Sequence, residues 1–167
     1  MVDIPGLPIP DAGPVFELAL LVHIASGITA VLAGLVAMLT RKGGAWHVGA
    51  GRVFLGGIIA LFATMVVMTV IRWPATVHLA VLGATALAAV ALGWRNRRRG
   101  DSDAAHIAWM GLAYVAMLTA FYVDNGPHLP VWERLPDWSF WILPPAVGTP
   151  LIIRAMGRHQ GDGPTIP

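Results

Sequence analysis

Five long apolar stretches, each closed by charge or by a turn, constrain this chain more than anything else in it. The first runs over about 15–40 and stops at Arg41 and Lys42. The second covers about 46–71 and ends at Arg72-Trp73-Pro74. The third covers about 75–94 and ends in the basic run Arg95-Asn96-Arg97-Arg98-Arg99; the fourth covers about 104–123. A helix of about 20 residues crosses the hydrocarbon core of a bilayer, so each of these suffices. A fifth, about 138–153, is shorter and holds Pro144, Pro145 and Pro150. Only 12% of the residues are charged, where a soluble domain carries about 25%. The expected fold is therefore all-α: a transmembrane bundle with a four-helix antiparallel core and a shorter, proline-containing fifth helix. Residues 1–14 read as an outer tail, 15–156 as the bundle and 157–167 as an inner tail. The first 14 residues lack a basic n-region and an early apolar core, so they do not read as a signal peptide. Five helices nearly exhaust the 167 residues and leave no room for a soluble catalytic domain.

Charge gives an orientation. Of the 11 Lys and Arg residues, only Arg72 and Arg134 fall on one side of the expected membrane. Positive-inside bias then puts the N-terminus outside and the C-terminus inside a bacterial cytoplasmic membrane. Asp3, Asp11, Glu17, Asp124, Glu133 and Asp137 lie on the outer side, where Trp132, Trp138 and Trp141 suit an interfacial aromatic belt. The lipid bilayer is the expected partner, and nucleic acid is not. The chain has no cysteine, which excludes disulfides, zinc–thiolate sites and iron–sulfur clusters within it.

Each of the first four stretches carries one histidine, and these alternate in depth. His23 and His78 lie near the outer ends of the first and third; His47 and His106 open the second and fourth at the inner side. Ionisable groups within a membrane are costly and point to function. Neutral imidazole is also the commonest metal ligand. In an antiparallel bundle the first and third helices share one diagonal, the second and fourth the other. Diagonal pairing brings His23 towards His78 and His47 towards His106, which suits two axially ligated haems at two levels. The face of His23 continues through Gly27, Ala30, Gly34 and Ala37, a smooth groove for a neighbouring helix or a flat macrocycle. Arg52, five residues past His47, is placed to meet a propionate or to anchor the inner interface; Arg41 and Lys42 are alternatives. Met110, four residues past His106, is a second candidate axial ligand but more often a core filler. His128 and His159 read as loop and tail residues, and Asp124 with His128 as a solvated turn.

The segment 47–54, HVGAGRVF, carries a His-x3-Gly-Arg-x-aromatic signature, and 106–110, HIAWM, a His-x2-Trp-Met signature. With His23 and His78 in order, the chain resembles the domain of unknown function 2306 family of bacterial membrane proteins over about residues 15–123. The resemblance implies a four-helix membrane core carrying these histidines and no particular activity. Gly111 departs from it, standing where a basic residue is expected. The two-level layout is also similar to that of ascorbate-reducible b-type cytochromes, an analogy of arrangement alone.

Three functions are open at this point. The first is an electron carrier holding one or two haem b groups and exchanging electrons with a quinone or protein partner. The second is a small subunit of a respiratory or photosynthetic assembly, or a homodimer, whose histidines hold haem, a chlorophyll-type pigment or nothing. The third is a metal-ion or proton pathway, disfavoured because no carboxylate lies within the spans beside the histidines.

Overall fold

The structure, a computed structural model, describes residues 13–160. Most of both expected tails, and the side chain of His159, lie outside the described residues. Five helices follow in order: α1 (Pro14–Leu39), α2 (Ala45–Ile71), α3 (Val77–Arg99), α4 (Asp103–Asn125) and α5 (Trp138–Gln160). Two 3-10 turns, Gly126–His128 and Trp132–Arg134, join the last two, and no strand occurs among the described residues. All five helices are long and apolar enough to cross a membrane. At about 1.5 Å per residue each exceeds the ~30 Å hydrocarbon core. Leu18, Leu32, Val70 and Leu151 point outwards and are more than half exposed, as residues solvated by lipid rather than water must be. This is a membrane-protein helical bundle.

Two helices outrun their expected ends. α3 stays helical through Arg99, because long basic side chains carry their charge away from the apolar region without unwinding the backbone. α5 continues to Gln160 with Pro144, Pro145 and Pro150 inside it. Proline is tolerated in a membrane helix because neighbouring groups and local adjustment satisfy the backbone groups it frees.

Consecutive helices pack antiparallel, α1 on α2, α2 on α3, α3 on α4 and α4 on α5. Lipid tails are as apolar as leucine, so helices associate through close dispersion contact, which favours small residues. The main core follows that rule: Ala30, Ala33, Ala86, Ala89, Ala113 and Ala116 are buried around Phe54, Ile58, Val90 and Met117. A second cluster, Phe16, Ala19, Met65, Met68 and Leu79, lies towards the other end. Helix packing fills the small-residue groove of α1. Gly57 of α2 seats on Ala30, and Tyr114 of α4 lies against Gly34. The Tyr114 hydroxyl donates to the Val31 carbonyl at 3.3 Å, which ties α4 to α1 and closes a four-helix ring. α5 docks outside that ring. A Cβ on Gly111 would stand 2.5 Å from Cγ1 of Ile152, so the departure at Gly111 is the place where α5 seats.

The Gly34 contact is testable. A Cβ there would lie 2.5 Å from Cε2 of Tyr114. Overpacking of this kind costs roughly 1–3 kcal/mol. Gly34→Ala should lower the thermal midpoint in detergent, whereas Gly49→Ala, with nothing within 4 Å of the new Cβ, should not. Equal midpoints for the two variants would contradict the packing described.

Candidate functional site at the basic end of the bundle

The two tight helix connections at one end of the bundle bring its polar groups together. α1 ends at Leu39, so the Ala37 carbonyl is among the last four of that helix and lacks its i+4 donor. The chain turns back through 40–44, and Nδ1 of His47 comes to 2.9 Å from the Ala37 oxygen. A carbonyl only accepts, so Nδ1 carries the hydrogen.

α3 and α4 are joined more tightly still. Gly100 adopts the left-handed φ of 71° and ends α3. The Asn96 side chain donates to the Ser102 carbonyl at 3.0 Å, and the Ser102 hydroxyl caps α4 by accepting from the Ala105 amide. Arg97 and Asp103 form an ion pair of 3.0 Å across the turn. In this register the His106 Nδ1–H donates to the Gly93 carbonyl at 2.9 Å. Gly93 is buried, and a Cβ on it would meet Sδ of Met110 at 2.9 Å and Cβ of Trp109 at 3.2 Å, so glycine lets the two helices come this close without displacing Met110.

His47 and His106 thus face one another across the α2–α4 diagonal. Their ring centroids are 6.4 Å apart and their planes 70° from parallel. Both are half-buried. With Nδ1–H tied to a carbonyl, each neutral ring keeps a bare lone pair on Nε2. Metal-bound histidines are usually held this way, with the second ring nitrogen donating to an outer acceptor. A cavity of about 70 Å³ opens beside the pair, lined also by Lys42, Gly43, Arg97, Asp103 and Ile107. Desolvation there pushes the Lys42 ammonium below its usual pKa. His47, Gly51 and Phe54 share the inward face of α2, and the space where a Gly51 Cβ would stand is open. Phe54 in turn meets Tyr114, with centroids 6.0 Å apart.

The other candidates are placed differently. His23, half-buried on α1, has Nδ1 at 2.9 Å from Oγ1 of Thr64 on α2. The Thr64 hydroxyl donates to the Ala60 and Leu61 carbonyls, so it accepts from His23. His78 is exposed near the start of α3, its ring 6.0 Å from that of Trp141 on α5. The structure brings His47 and His106 together and gives His23 and His78 separate partners. Arg52 is exposed and does not line the cavity. Met110 packs against Gly93. His128 is exposed in the 3-10 turn beyond α4. Among the described residues no three His, Cys, Asp or Glu side chains come together to hold a metal ion.

Sequence reasoning missed Arg97 and Asp103. Their signal was present, as opposite charges placed three residues either side of a helix-stopping glycine. The Ala37 and Gly93 carbonyls had no signal, because a backbone acceptor has no residue type.

The His23 contact predicts a stability difference. Thr64→Val leaves a buried imidazole N–H without its acceptor and should cost about 1–3 kcal/mol. Thr29→Val removes only a bond to its own helix, at Ala25, and should change the unfolding midpoint much less. A reversed order in chemical denaturation would contradict the hydrogen-bond assignment.

No protein-family model, no curated protein and no solved structure matches this chain.

Proposed function

We propose that the chain is a b-type haem protein of the bacterial cytoplasmic membrane that carries electrons, with the iron held between His47 and His106. The observation that carries this reading is the pair itself: two rings 6.4 Å apart, each oriented by a backbone carbonyl. Neutral imidazole is the commonest metal ligand, and these two would hold the metal from two different helices. The donor set also selects the type of group. Asp103 nearby is engaged by Arg97, and no three His, Cys, Asp or Glu side chains among the described residues come together to hold an ion, so the site suits a metal that brings ligands of its own, as a macrocycle does. The same argument tells against a bare-ion pathway. The two segments that carry the family resemblance, 47–54 and 106–110, are those that supply the pair.

Bound there, haem iron would supply reversible one-electron chemistry. The residues define the rest. His47 and His106 are the residues that would hold the group, and a group held from the protein by two imidazoles would suit electron carriage. The Ala37 and Gly93 carbonyls fix which ring nitrogen is free and raise its basicity. The 70 Å³ cavity is far smaller than a macrocycle. Binding would therefore need room beyond that cavity, and one open place beside His47 is at Gly51.

The reading assigns one centre per chain, because only His47 and His106 are paired ring to ring among the described histidines, whereas His23 meets Thr64 and His78 meets Trp141. The basic end faces the cytoplasm by the positive-inside rule. A centre at one face does not by itself carry an electron across ~30 Å of hydrocarbon. The chain accordingly works with a quinone or another membrane subunit.

Haem titration of the purified protein should give Soret and α bands at one haem per chain. His47→Ala and His106→Ala should each abolish them, while His23→Ala and His78→Ala should retain them. Bands that survive the His47→Ala/His106→Ala double variant would sink the assignment. Orientation has its own test, since the native chain has no cysteine. In intact cells an impermeant maleimide should label Glu133→Cys and not Asp101→Cys; the opposite pattern would reverse the topology.

A further inference from the structure

We infer that Lys42 and Arg97 form an anion seat beside the histidine pair, which receives the carboxylate arms of the cofactor, and that Asp103 competes for that seat. The inference rests on the haem reading above and names which residues of this chain hold the group's charged edge.

The cavity beside the rings carries the argument. Lys42 enters it from the α1–α2 connection and Arg97 from the end of α3, so cations reach it from two separate elements. Asp103 is its only acidic lining residue, and its carboxylate is already on Arg97 at 3.0 Å. Lys42 makes no ion pair among the described residues. Besides the two imidazoles, the lining holds two cations and one anion, and so lacks one negative charge. Its volume, about 70 Å³, admits a small polar group and is far too small for a macrocycle. It therefore fits an arm of the cofactor and not the plate. Arginine's planar fork suits bidentate capture of a carboxylate, and lysine adds a point charge.

Asp103 holds the guanidinium in place when no ligand is there. The Arg97 and Asp103 side chains are both 57% exposed, so their bond is of the kind worth little and easily exchanged. An arriving carboxylate displaces Asp103 from Arg97 or shares the fork with it. Arg52, the basic residue that follows His47 most closely in sequence, is exposed and outside the cavity. It has no part in the seat.

The test compares haem with its dimethyl ester, which has the same macrocycle and no carboxylate charge. Absorbance titrations use the full chain in detergent. Wild type should bind the ester about five- to tenfold more weakly than haem, the range expected for partly exposed charge-assisted bonds. Lys42→Gln and Arg97→Gln should each weaken haem by a similar factor and leave ester binding unchanged. Asp103→Asn should tighten haem about two- to fivefold and leave the ester alone. Arg52→Gln should affect neither. Ester binding on the same variants controls for folding. If Arg97→Gln weakens both compounds equally, or neither, the seat is overturned while the haem reading stands. If folded wild type binds neither compound, the haem reading fails and takes the seat with it.

Discussion

An imidazole N–H turned inward between packed helices gives up water on that side, so it must find an acceptor in the protein. Where it finds one decides where the ring sits. For His47 and His106 the acceptors are the Ala37 and Gly93 carbonyls on the preceding helix. The same two bonds therefore clamp the α1–α2 and α3–α4 hairpins and aim the rings. His47 also satisfies one of the carbonyls that a helix end leaves open, so its structural and its proposed ligating roles use opposite nitrogens and do not compete. His23 obeys the same constraint with a different answer. Its acceptor is Thr64, which holds the ring between α1 and α2 rather than on the diagonal.

Helix association in lipid depends on how near two backbones can come, and this bundle spends its small residues on that. Ala30 against Gly57 and Tyr114 against Gly34 bring α1, α2 and α4 together through the middle of the membrane. At the basic end the fit is uneven: Gly93 is closed in by Met110 and Trp109, while nothing stands within 4 Å of a Cβ on Gly51. Phe54, about one turn further along α2, belongs to the buried cluster around Ile58.

Charge has two consequences at that end. Arg41, Lys42, Arg52, Arg95, Arg97, Arg98, Arg99, Arg154 and Arg158 gather there because alternate helix ends coincide in an antiparallel bundle. As a group they bias insertion. Individually they differ: Arg97 is on Asp103, Arg98 lies over the Trp94 ring at 5.7 Å, and Lys42 borders the histidines. Lys42, Arg97 and Asp103 thus border the ring pair with two cations and one anion, both members of the Arg97–Asp103 pair remaining largely exposed.

Five spans, their alternation and the gathering of base at one end were legible in the sequence, because hydrocarbon thickness fixes helix length and local runs of charge mark the ends. The depth of each histidine followed from the same count of residues. Helix rotation was not legible. Whether a histidine turns towards a diagonal partner, a threonine or lipid depends on side chains far away in sequence, such as Tyr114 against Gly34 and Ile152 against Gly111. The alternating depth of His23, His47, His78 and His106 suggested two matched pairs. Packing joined one pair at 6.4 Å and gave the other two residues partners of their own. The sequence by itself determined which groups lie at which depth, since that is a one-dimensional property of hydropathy. Only the tertiary structure decided which of them meet, since contact requires the rotation of each helix about its axis, and that is set by packing between residues that no local pattern relates.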